Sequence, residues 1–268
     1  MVGCCLTDWP VSNNTGGSNK VMSLIDALWF VLGWFLGGFV YAIAGFGSSL
    51  VAIPLVTQGM DITLAVPACS LMVLVTSLEQ GWRYKGHADW RRIRPVLVGA
   101  FPGAIIGFLV LRYLPPQHLK AALGVFLITY ACWGLFLEGG KARIISGIWG
   151  YAAGLLSTMF GSAFSFNGPP LAVYTSLSGW GKDVSKAGLA MTFIVTSSLM
   201  VLAQIFAGAH NSITLTAMLI GTPAAIFGSR LGFLASRSMG DKTYRKLLFG
   251  FIGCNGLIFF RQAAYILL

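Results

Sequence analysis

Apolar residues fall in long blocks separated by short polar turns. The first block runs from Met22 to about Gly45, and others occupy approximately 62–82, 95–114, 119–138, 144–160, 187–207, 213–235 and 245–267. About 20 helical residues cross a hydrocarbon core of about 30 Å, so blocks of this length predict transmembrane helices. Two further apolar pieces, Leu50–Thr57 and Pro170–Ser178, are too short to span alone. Each follows a Gly-rich interruption, and each reads as a half-helix or one arm of a re-entrant hairpin. The first 21 residues are polar and rich in Gly, Ser and Asn, which predicts a flexible tail.

The short pieces occupy corresponding places, which points to an internal repeat. At a shift of 116, Gly38, Gly45 and Pro54 meet Gly154, Gly161 and Pro170. At 121, PGAIIG (Pro102–Gly107) lies on PAAIFG (Pro223–Gly228), and at 126 Lys120 and Gly124 meet Lys246 and Gly250. The expected architecture is an all-α polytopic membrane protein. It comprises two transmembrane repeats, 22–140 and 141–268, of about five segments each, every repeat carrying one broken or re-entrant short helix.

Composition supports the membrane assignment. Of 268 residues 56% are hydrophobic and only 10% charged, against about 25% charged in soluble domains; mean hydropathy is +0.77. The net charge of +10 lies in short loops rather than on one basic face, so it argues for orientation in the membrane and against nucleic-acid binding. If each short piece returns the chain to its starting side, Arg83, Lys85, Arg91, Arg92, Arg94, Lys141, Arg143, Lys182, Lys186, Arg230, Arg237, Lys242, Arg245 and Lys246 share one side, fourteen of the 18 basic residues. Without that return the split is even. The positive-inside rule selects the first arrangement: a multi-pass protein of the cell (inner) membrane, both termini outside the cytoplasm, the two repeats inverted in topology.

Inverted repeats with interrupted helices point to a secondary transporter whose substrate sits where the breaks meet near the midplane. Unwound backbone in hydrocarbon must face ligand, water or protein. A half-helix beginning after the break aims free N–H groups and the positive end of its dipole at the gap, which suits an anion. The breaks are GFGSSLVAIP (Gly45–Pro54) and GSAFSFNGPP (Gly161–Pro170). They supply Gly45, Gly47, Ser48, Ser49, Gly161, Ser162, Ser165, Asn167 and Gly168 as candidate binding residues. Thr76 and Ser77, which meet Ser197 and Ser198 at a shift of 121, are candidate cavity-lining residues, although hydroxyls in helices commonly bond their own backbone. Ionisable groups within spans are costly and usually functional. Arg230 is the expected attractor of an anion and Glu79 the expected protonatable coupling group, each weighed against snorkelling to the interface. The three histidines lie scattered through loops and the five cysteines lack ligand spacing, so neither a metal nor a cofactor is expected. A membrane enzyme would need a nucleophile–base set at one depth, which the spans do not offer; a passive anion channel is the main alternative to a transporter.

GFGSSLVAIPLV from Gly45, GPPLAVYTSLSGWGK (Gly168–Lys182) and the loop GHADWRRIRP (Gly86–Pro95) resemble signatures of the TauE/SafE sulfite exporter family, also called the 4-toluene sulfonate uptake permease family. The resemblance covers about 20–268. It implies transport of sulfite, a sulfonate or a related small organosulfur oxyanion, driven by a proton or cation gradient.

Overall fold

Ser23 opens the first helix with a reciprocal cap: the Asp26 amide donates to Ser23 Oγ (3.1 Å) and the Ser23 amide to Asp26 Oδ2 (3.3 Å), satisfying two donors that a helix start leaves free. This helix, α1 (Leu24–Ala44), ends at Gly45, whose φ of 83° needs the left-handed region open to glycine. It is followed by α2 (Ser48–Val56), α3 (Ile62–Tyr84), a 3₁₀ turn (Lys85–His87), α4 (Trp90–Tyr113), α5 (Ile148–Phe164), α6 (Gly168–Leu177), α7 (Lys182–Phe206) and α8 (Ser212–Ser238). The computed structural model describes residues 22–113, 147–165 and 167–238, with isolated helical positions beyond them. The expected segments 119–138 and 245–267 and the tail lie outside the described residues, apart from such isolated positions.

Among the described residues, four helices are long and apolar enough to cross a membrane: Leu24–Ala44, Leu64–His87, Asp183–Phe206 and Ser212–Ala235. Their chemistry is distributed as lipid requires. Leu24, Leu28, Leu32 and Leu36 form an exposed apolar stripe along α1, while Phe30, Trp34 and Tyr41 point inward. The interior also holds Ser70, Thr76, Ser77, Gln80, Ser157, Thr192, Thr196 and Gln204. Apolar flanks around a partly polar centre reverse the arrangement of a water-soluble bundle.

Close packing at small residues fixes helix directions. A Cβ on Gly228 would strike the Phe35 carbonyl, and one on Gly232 the Phe39 carbonyl, so α8 and α1 advance together. Gly99, Gly103 and Gly107 of α4 abut the carbonyls of Tyr151, Leu155 and Met159 in the same way, making α4 and α5 parallel. In contrast, Gly33 faces the Ala52 carbonyl and Gly37 that of Ser48. The numbers run in opposition, so α2 turns back along α1. Helices α3 and α7 are antiparallel, with Ser70 beside Gln204 and Gly81 against Ile194. Helices α3 and α8 are parallel, with Met72 beside Thr222 and Glu79 beside Ser229.

Turn points recur at one spacing. The left-handed C-caps Gly45 and Ser165 (φ 83° and 59°), the first residues Ser48 and Gly168 of the short helices, and the N-caps Asp61 and Gly181 of α3 and α7 are each 120 residues apart. Packing repeats with them: Lys186 Cγ lies beside Gly45, and 120 positions away Ser165 Oγ donates to the Val66 carbonyl (3.3 Å). The shift of 116 expected from residue matching across the first break differs from this spacing of 120. The difference is one helical turn, because small residues recurring every fourth position match almost as well when slid by four.

Candidate functional site

The two interruptions meet. A Cβ on Gly168 would stand 2.8 Å from Phe46 Cδ2, so the second corner packs directly on the first. Beside this contact lies a cavity of about 230 Å³, counted to its mouth. Gly47, Ser48, Ser49 and Leu50 line it from the first break, Ser165, Asn167 and Gly168 from the second, and Tyr41, Val73 and Phe193 from the long helices. Most of that volume is open space at the mouth; the enclosed part is about 10 Å³, room for one water-sized group, so a larger ion enters only as the walls part.

The wall is rich in donors and carries no charged side chain. Gly47, at φ 92°, starts α2 without a side-chain cap, and the first intrahelical bond from α2 runs from Val51 N to the Gly47 carbonyl (3.3 Å). The amides of Ser48, Ser49 and Leu50 precede it and have no carbonyl a turn earlier to meet. The second break supplies a different set. Helix α6 begins Gly168-Pro169-Pro170, and proline brings no N–H, so side chains take over. Asn167 Nδ2 donates to Thr196 Oγ1 (3.1 Å), the Asn167 carbonyl accepts from Ser157 Oγ, and Ser165 Oγ is tied to Val66. Both short helices aim their positive ends at the same gap, and amides with aligned dipoles are the ordinary means of holding an anion without a cation in contact.

Of the candidates expected from the sequence, Gly47, Ser48, Ser49, Ser165, Asn167 and Gly168 come together at this cavity. The rest do not line it. Gly161 packs against Asn167 from below, and Ser162 faces Gly107 of α4. Gly45 lies beside Lys186 and Gln80. Thr76 Oγ1 donates to the Met72 carbonyl (2.9 Å) and Ser197 Oγ to that of Phe193, both within their own helices. Ser77 Oγ accepts from Tyr41 (3.3 Å), one shell behind the wall. Arg230 is exposed on α8, away from the cavity. Glu79 is held by Arg83 one turn later and by Ser229 Oγ (2.9 Å).

Sequence reasoning overlooked Tyr41, Val73 and Phe193, which carry no signal separating them from other buried apolar residues. It also assigned Lys186 to the basic loops. In the structure Lys186 is 3% exposed, with Nζ donating to the Ala42 carbonyl (2.9 Å) and Tyr84 Oη (3.4 Å). The signal was its place one residue before an apolar block; the helix begins earlier, at Lys182.

Comparison with known proteins agrees with the resemblance seen in the motifs. A family model described as sulfite exporter TauE/SafE matches residues 30–259. The probable sulfite/organosulfonate exporter TauE of Cupriavidus necator is 26% identical over 228 residues, covering 80% of this chain and 86% of that protein. No solved structure matches the chain.

Proposed function

The chain belongs to the sulfite exporter TauE/SafE family, whose members are membrane transporters and not enzymes, and from that membership we propose that it moves a small organosulfur oxyanion, such as sulfite or a sulfonate, across the cell membrane. The substrate head binds in the cavity between Ser48, Ser49 and Asn167. Amides at the start of α2 and the Asn167 side chain hold its oxygens; Leu50, Val73 and Phe193 close the remaining wall. The observation that carries this reading is the convergence of two helix starts, one from each half of the chain, on one cavity with no charged side chain in its wall. An anion replaces its hydration shell there with fixed dipoles.

Alternating access follows from the same arrangement. We take 22–140 and 141–268 as inverted-topology repeats. The spacing of 120 between turn points and the opposed directions of α3 and α7 support this. Two like halves packed in opposite senses have two equivalent openings to one site, and rocking one against the other exposes it to each side in turn. Both termini lie outside the cytoplasm, the arrangement favoured by the basic loops. Transport is coupled to an ion or proton gradient, with Glu79 as the protonatable group in the membrane-spanning part of α3.

The test is flux in proteoliposomes containing the purified protein. Sulfite or a sulfonate should accumulate against its gradient when a proton or cation gradient is imposed, and Ser49→Ala with Asn167→Ala should abolish that accumulation while the protein still folds. Current through the protein that neither saturates nor responds to the imposed gradient would establish an anion channel instead, and unchanged flux in the double variant would remove the cavity from the pathway.

A further inference from the structure

Beside Gly45, outside the cavity, lies a second group of donors. Lys186 rises from the second turn of α7 and is 3% exposed; Gln80 of α3 is 2% exposed. The Lys186 ammonium donates to the Ala42 carbonyl near the end of α1 and to Tyr84 Oη, and lies 5.4 Å from the Tyr84 ring centroid. A Cβ on Gly45 would meet Lys186 Cγ at 3.1 Å and Gln80 Nε2 at 3.5 Å, so the bare glycine backbone makes room for the Lys186 stem, with the Gln80 amide in ordinary contact beside it. Neither amide atom of Gln80 has a hydrogen-bond partner among the described residues. A buried primary amide without partners carries an uncompensated desolvation cost, and structures retain such groups where something else completes them.

The arrangement exists on one side only. The position corresponding to Lys186 at the spacing of 120 is Val66, whose carbonyl accepts from Ser165 at the other corner. The two corners share a backbone plan, but only one presents a cation. That corner also lies at the end of the bundle where Arg83, Lys85, Arg91 and Arg92 cluster at the junction of α3 and α4.

We propose that Lys186, Gln80 and Tyr84 form a second anion site, separate from the cavity, where the transported oxyanion rests on its way between the cavity and the basic side of the membrane. The ammonium supplies charge, the Gln80 amide a neutral N–H, and the phenol a hydroxyl, a donor set that fits the oxygens of a small sulfur or selenium oxyanion, while the buried ammonium repels a cation. The proposal rests on the transporter reading for its ligand, but the experiment separates the two.

Selenite, a heavier isostere of sulfite, is soaked into crystals of the full chain and located by anomalous scattering. Two peaks are expected in the wild type, one between Ser49 and Asn167 and one within hydrogen-bond reach of Lys186 Nζ and Gln80 Nε2. Gln80→Leu, which keeps Lys186 in place to cap α1, should lose the second peak and keep the first. In proteoliposomes the same variant should raise the half-saturating sulfite concentration about tenfold when sulfite is supplied at the basic face, and leave it unchanged at the other. Lys186→Arg should retain much of the wild-type behaviour and Lys186→Met should not. No peak at Lys186, or shifts of equal size at both faces, would overturn the second site. A peak at Lys186 with none in the cavity would uphold it and overturn the cavity as the place of binding.

Discussion

Asn167 Nδ2 donates to Thr196 Oγ1 across 3.1 Å, joining the second break to the middle of α7. One amide hydrogen is thereby fixed and the other is left for the cavity that Asn167 lines. Removing a hydrogen bond to a charged partner costs about 1.5–3 kcal/mol. Asn167→Ala should therefore raise the half-saturating concentration of sulfite about 10- to 100-fold. Thr196→Val, which frees the amide to turn, should produce a smaller increase. Asn167→Asp puts a negative charge in the same place and should abolish binding. Titration of sulfite transport in proteoliposomes measures all three.

The contact between Gly168 and Phe46 predicts a rescue. In Gly168→Ala the new methyl would stand 2.8 Å from the ring, and overpacking of this kind costs about 1–3 kcal/mol. The corners should be forced apart, lowering both the thermal midpoint and the transport rate. Trimming the ring with Phe46→Leu in the same chain should recover much of both. A double variant no better than Gly168→Ala would mean that the corners do not bear on each other.

Glu79 accepts from Ser229 and is paired with Arg83, placing the carboxylate between α3 and α8. If it carries the coupling proton, Glu79→Gln should keep exchange of labelled for unlabelled sulfite and lose accumulation driven by a pH gradient. Equal loss of both would make it a structural tie between the helices.

His210, in the turn between α7 and α8, has neither ring nitrogen hydrogen-bonded among the described residues, and burial lowers its pKa from the ordinary 6.5. The unfolded chain then binds the proton first. Between the two values it holds more protons than the folded state, so stability rises with pH in that window. The thermal midpoint should fall as pH drops below about 6.5 and level off beneath the folded value, and His210→Asn should flatten that part of the curve.

Much of this architecture could be read from residue order. The apolar block at 62–82 is α3 at Ile62–Tyr84, and that at 213–235 is α8 at Ser212–Ser238, because a hydrocarbon core imposes length and polarity with little latitude. Both breaks were visible, since glycines interrupting an apolar block have few other uses there. Register was harder. PGAIIG slides over PAAIFG by residue identity, but Gly103 and Gly107 share their packing with Gly228 and Gly232, one helical turn away. Lateral position was harder still. Arg230 lies inside an apolar block and Lys186 just before one, yet the first faces outward and the second is sealed inside, a difference decided by which neighbour each helix face meets.

Pro169 and Pro170 have a final consequence for the cavity they adjoin. With amide hydrogens supplied by α2 and withheld by α6, the enclosure pulls harder from one wall than from the other. On the proposed function, a guest bearing one charged head and one greasy end would take a defined heading there, its head toward the Ser49 amide and its tail toward Val73 and Phe193, which line the same cavity.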